Sequence, residues 1–93
     1  MTPSRGEIWT VNLEPTKGHE QGKTRPALII SADGINKSRA ELVIVIPVGS
    51  KDKKVPSHVK IEPPEGGVDV TSYIMCEHIR SVSTKRLVEL WGT

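Results

Sequence analysis

The chain has 93 residues, one cysteine, no phenylalanine and a formal charge of +2. One domain spanning residues 1–93 is the expectation at this length. A lone Cys76 excludes an internal disulfide and a cysteine zinc cluster, no segment has the apolar length of a transmembrane helix or a signal-peptide core, and so small a net charge does not by itself mark a nucleic-acid partner.

These absences fit a soluble protein of the reducing cytoplasm with no membrane contact. Val and Ile together number 19, against 5 Leu and 3 Ala. β-Branched residues suit a pleated surface better than a helix. The core must therefore be aliphatic and built from strands, with Trp9, Trp91 and Tyr73 as its aromatic supplement.

The first strand is expected over residues 7–13, Glu-Ile-Trp-Thr-Val-Asn-Leu, and Pro15 ends it. Residues 14–24 then form a long loop, uncommon in a small domain unless it has a function. A second strand follows over residues 25–31. Ala32-Asp33-Gly34 turns the chain, and residues 35–39 suggest one helical turn. Leu42-Val43-Ile44-Val45-Ile46 is apolar at every position, as in a strand buried on both faces. Pro47 and Gly49 are expected to stop it.

Residues 50–56 form a basic loop. His58-Val59-Lys60-Ile61-Glu62 alternates and should be half exposed, with His58 at the surface. Pro63-Pro64-Glu65-Gly66-Gly67 is a turn by composition. Strands over residues 68–77, 78–83 and 87–91 complete the chain, with Ser83 capping a short helical turn before the last. Six or seven short strands with tight connections point to a small barrel or sandwich.

Chemistry concentrates around the loop before the second strand. Arg25 precedes Pro26, which biases it toward extended backbone, so its guanidinium leaves from a defined point. It can bind a phosphate bidentately or form a salt bridge with Glu20 or Glu77. His19 titrates near neutrality, either as a proton-transfer group or as an ordinary surface histidine. If Glu77 and His78 lie on one strand they point to opposite faces, and Glu77 is the one chosen to share a site with Arg25. Ser50, after a glycine at the end of the central strand, offers a hydroxyl to a phosphate oxygen or to its own turn. Cys76 reads as a buried, inert thiol.

Together these residues suit a phosphodiester. RNA carries its own nucleophile, so a protein can cleave it without a metal by moving two protons and stabilising a phosphorane. No metal or cofactor motif is present, and none is expected.

Arg5-Gly6-Glu7-Ile8-Trp9, Leu13-Glu14-Pro15, Gly18-His19-Glu20-Gln21 and Arg25-Pro26 resemble the MazF/PemK/Kid family of type II toxin endoribonucleases. The likeness continues through Pro47-Val48-Gly49-Ser50, Cys76-Glu77-His78-Ile79-Arg80 and Lys85-Arg86-Leu87. It implies a mainly β fold, a small SH3-like barrel of about six or seven strands. It implies a homodimer that cuts single-stranded mRNA at short sequences, without metal, to 2′,3′-cyclic phosphate and 5′-hydroxyl ends. It also implies a cognate MazE-like antitoxin with an acidic, flexible tail.

Carried over by residue, the resemblance makes Arg25 the contact to the scissile phosphate and a proposed acid. His19 and Glu77 stand where the PemK/Kid branch has a histidine and a catalytic aspartate, and Ser50 is the remaining hydroxyl. Lys53 and Lys54 would meet phosphates, and Gln21 and Thr24 would read base edges. Glu20, Lys23 and Arg80 belong to the same RNA interface.

Three departures accompany the likeness. Gly49 replaces a threonine that helps hold the phosphate, Met75 replaces a second arginine of the PemK/Kid branch, and the C-terminal helix usual after the last strand is missing. They leave a second reading, a family member that binds RNA or antitoxin without cutting. A third, a gyrase poison of the CcdB type, needs the C-terminal helix.

Overall fold

In the computed structural model, which describes residues 2–13 and 24–93, the first three strands have apolar residues on both faces. These are β1 (Ile8–Asn12), β2 (Thr24–Ile29) and β3 (Leu42–Gly49). Trp9 and Val11 of β1, Ala27 and Ile29 of β2, and Val43 and Val45 of β3 pack on one side with Leu13, Val82 and Leu87. Ile8 and Val48, with Leu28 packed against them, face the other side with Ile61 and Val68. A side-chain period of two produces this division, and it explains why the middle of β3 has no polar position.

β4 (His58–Ile61), β5 (Ser72–Met75), β6 (Arg80–Ser83) and β7 (Leu87–Gly92) complete a sheet of seven strands among the described residues. Its order is β4-β5-β3-β2-β1-β7, with β6 also paired to β3. Every pairing is antiparallel. The expected mainly β architecture with short helical turns is the one observed. α1 (Asp33–Asn36) is a single turn, pinned through a buried contact between Ser31 and Asn36. Ser83 caps the turn before β7 as expected, its hydroxyl accepting from Lys85 N at 3.2 Å. Among the described residues no helix is long and apolar enough to cross a membrane.

Three local expectations are corrected. β3 does not stop at Pro47. It pairs with β6 through Val45 and with β5 from Val48 onward, so Pro47 falls in the gap between those partners, where a missing N–H is tolerated. The stretch 68–77 is a strand only from Ser72, and Cys76–His78 form a 3-10 turn. Glu77 and His78 therefore do not point to opposite faces; Glu77 Oε2 and His78 Nε2 lie 3.6 Å apart. His58 is not a surface residue, since its side chain is only 5% exposed.

The turn at residues 65–67 closes onto the last strand. Gly66 N–H donates to the Thr93 carbonyl at 2.9 Å. Gly67 has φ +80°, and a Cβ there would run into the Trp91 carbonyl, so this approach requires glycine.

Candidate functional site

Arg25 lies near the start of β2, paired across the sheet with Val11. It shares the strand face of the buried Ala27 and Ile29 and, near the strand end, is half-buried. Among the described residues it borders two concavities. One, of about 450 Å³, has Arg25, Ser50, Asp69 and Trp91 among its polar walls, and Val48 and Val70 among its apolar ones. The other, of about 250 Å³, shares Arg25, Gly49 and Ser50 with the first and adds Lys51, Lys53 and Met75. A third, of about 430 Å³, shares Asp69 and Trp91 with the first and continues past Thr10 to Glu89. Shared walls make the three one track, from the lysines past Arg25 to the indole.

The strand ends explain this grouping. β3 runs on past Pro47, carrying Gly49 and Ser50 to the same side as Arg25. The loop beyond sends Lys51 and Lys53 into the track wall. Lys54 is held differently. Asp52 accepts from its backbone N–H at 3.0 Å and lies 3.3 Å from its ammonium group. That backbone hydrogen bond is the main reason the Asp52 carboxyl is held below its usual range, despite some opposing desolvation.

Glu77 is absent from the walls of both concavities that Arg25 borders. It sits in a polar cluster of its own. Ser57 Oγ donates to Oε1 at 2.7 Å, and His58 Nε2 lies 2.6 Å from Oε2. Ser57 chiefly, then the Glu77 backbone N–H and His58, hold its carboxyl down to about 2, against a smaller opposing effect of burial. Glu77 is the polar partner of the buried His58 imidazole, at Nε2, and Nδ1 has no partner among the described residues.

Arg80 Nη1 donates to the Leu13 carbonyl at 3.2 Å, and Arg86 Nη1 to that of Asn12 at 3.3 Å. Both arginines fasten the end of β1. Thr24 is exposed at the start of β2. Arg25, Ser50 and Lys53 are thus brought together, whereas Glu77, Lys54 and Arg80 have other partners. His19, Glu20, Gln21 and Lys23 lie outside the described residues. No cluster of three or more His, Cys, Asp or Glu side chains suited to a metal ion occurs among the described residues.

Sequence reasoning assigned no role to Asp69 and placed Trp91 in the core. Trp91 is 37% exposed. In the pairing of β1 with β7, Ile8 faces Gly92 and Trp9 faces Leu90, so Trp91 is the extra residue of a bulge. A bulge re-aims a side chain. Strand alternation did not reveal it, because the extra residue breaks the alternation.

Comparison with known proteins supplies the family. A sequence model of the PemK-like, MazF-like toxins of type II toxin–antitoxin systems matches residues 4–93. The endoribonuclease MazF of Staphylococcus epidermidis is 41% identical over 86 residues, 91% of this chain and 72% of that protein. The crystal structure of MazF from Deinococcus radiodurans superposes with a TM-score of 0.86 at 29% identity, covering 100% of this chain and 83% of that one. A MazE-MazF structure from the same organism matches with a TM-score of 0.75 at 32% identity, covering 100% and 82%. With its sheet, its turns and its arginine-centred track, this chain belongs to the PemK-like, MazF-like toxin family.

Proposed function

We propose that the protein is the toxin of a type II toxin–antitoxin pair and an endoribonuclease acting on single-stranded RNA in the cytoplasm. The observation that carries this reading is the track in which Arg25, Ser50, Lys51 and Lys53 share walls. Cations and a hydroxyl lining one concavity suit a phosphodiester backbone. The MazF relatives named above support the activity, and the MazE-MazF structure supports an antitoxin partner. A homodimer is proposed on the same footing.

The chemistry requires no metal. The RNA 2′-oxygen attacks phosphorus while its proton passes to a base. The bond to the 5′-oxygen breaks, and that oxygen leaves with a proton, giving a 2′,3′-cyclic phosphate and a 5′-hydroxyl. Arg25 neutralises the phosphorane, and Ser50 donates a hydrogen bond to a phosphate oxygen. His19 is the proposed proton-transfer group. Glu77, with its carboxyl held to about 2, is ionised at neutral pH and a weak base; its proposed role is to organise the rim with His58. Gln21 and Thr24 are proposed to meet base edges, with Glu20, Lys23, Lys54 and Arg80 at the margins.

Incubation with a long single-stranded RNA in EDTA, followed by sequencing of the 5′ ends, tests the reading. Cuts at one short motif with 5′-hydroxyl ends are expected. Gly49 and Met75 at the track wall favour a second reading, a member that binds RNA without cutting. Salt-sensitive binding with intact RNA at every enzyme concentration would select it.

A further inference from the structure

The Arg25 concavity has an aromatic wall and a carboxylate beyond its phosphate-binding end. Trp91 is fixed there by three independent features. Its Nε1–H donates to Thr10 Oγ1 at 2.6 Å. The bulge in β7 turns it out of the strand ladder. The Gly67 turn lies against its backbone, where a Cβ would not fit. Asp69 is placed by the following segment, in which the buried Ser72 hydroxyl donates to the Val70 carbonyl at 2.9 Å. Asp69 and Trp91 also form the partition between this concavity and the third one.

We infer that this concavity is a guanine pocket, in which Trp91 stacks on an unpaired base and Asp69 reads its Watson–Crick edge. The assignment rests on the single-stranded RNA reading and names what that same track selects. Single-stranded RNA is recognised by splaying bases onto aromatic side chains and hydrogen-bonding their edges. A carboxylate has two acceptors and no donor. Guanine is the base whose Watson–Crick edge presents two adjacent donors, N1–H and the N2 amine. Adenine and cytosine set one amine beside a ring acceptor, and uracil sets one N–H between two carbonyls. Arg25, in the same concavity, holds the phosphate attached to that nucleotide. Val48 and Val70 supply apolar contacts for the ring.

Two measurements on the full chain test the pocket. Indole fluorescence is titrated separately with 5′-GMP, 5′-AMP, 5′-CMP and 5′-UMP. GMP should quench it at the lowest concentration, Trp91→Phe should remove most of the quenching, and Asp69→Asn should weaken GMP binding on the order of 10- to 100-fold. Asp69 is exposed, so the variant is expected to fold, and circular dichroism checks this. In sequenced cut sites, guanine should occupy one fixed position relative to the cut and lose it in Asp69→Asn.

Equal quenching by the four nucleotides, or a GMP preference unchanged in Asp69→Asn, overturns the pocket. A GMP preference without any RNA cleavage overturns the endoribonuclease and upholds the pocket. Cleavage with neither a GMP preference nor a fixed guanine does the reverse.

Discussion

Glu77 Oε2 lies 2.6 Å from His58 Nε2, so a carboxylate on a 3-10 turn is joined to a buried imidazole at the start of β4. With Ser57 as the leading cause, the Glu77 carboxyl sits at about 2 instead of its ordinary 4.5. A carboxyl depressed in the folded state favours folding above its unfolded value and stops doing so as pH falls through its folded value. The wild type should therefore exceed Glu77→Gln in stability at pH 7. The gap should close as pH falls from about 4.5 to about 2. Thermal unfolding of both proteins across that range measures it. A gap that is absent at neutral pH, or undiminished at pH 2, would contradict the cluster.

Arg25→Ala should reduce RNA cleavage by at least the order of 10²–10³, the usual loss for one transition-state donor. The burial in β2 belongs to Ala27 and Ile29, so the far-ultraviolet circular dichroism should not change. Arg25→Lys should recover part of the binding but little of the rate, since an ammonium keeps the charge and loses the planar fork. Single-turnover kinetics separate these effects. Undiminished cleavage by folded Arg25→Ala would remove the arginine from the chemistry.

Lysines in the track should be distinguishable by salt. Each phosphate contact on a single strand adds about 0.7 to the slope of log K against log salt. Lys51→Ala and Lys53→Ala, both in the track wall, should each flatten the slope by about that amount. Lys54→Ala should change it less, because Asp52 already lies 3.3 Å from that ammonium group. Fluorescence anisotropy of a labelled single-stranded RNA over a salt series gives all three slopes. Equal slopes for Lys53→Ala and Lys54→Ala would discard the distinction.

The strands were legible because a period-two signal and a run such as Leu42-Val43-Ile44-Val45-Ile46 report burial directly. The same rule failed at Pro47, where the outcome depends on which neighbour β3 pairs with at that position. It failed at Glu77 and His78, where a 3-10 turn replaces a strand without any glycine or proline to announce it. His58 lies in an alternating segment where its polarity suggests exposure, yet Glu77 supplies a partner to its buried imidazole, and Ser57 in turn donates to that carboxylate. The Arg25 end of the site was legible from local chemistry. The Trp91 end was not, because a bulge and a glycine turn distant in sequence put the indole there.

Gly49 is the position where a side chain could alter the chemistry. Its φ lies outside the left-handed region, and a Cβ there would meet only the end of Met75, Cε at 3.4 Å and Sδ at 3.7 Å. A thioether end can move by a few tenths of an ångström, and threonine suits a strand. Gly49→Thr should therefore fold and bring a second hydroxyl to the wall shared with Arg25 and Ser50. Turnover should rise by about 10- to 100-fold, within the range for one added transition-state donor, with KM changing little. Ser50→Ala completes the comparison. If Ser50→Ala is inactive and Gly49→Thr restores cutting in the double variant, the two positions supply one interchangeable donor. If Gly49→Thr folds and leaves the rate unchanged while Ser50→Ala is silent, neither hydroxyl contacts the reacting phosphate, and Arg25 carries the transition-state charge without them.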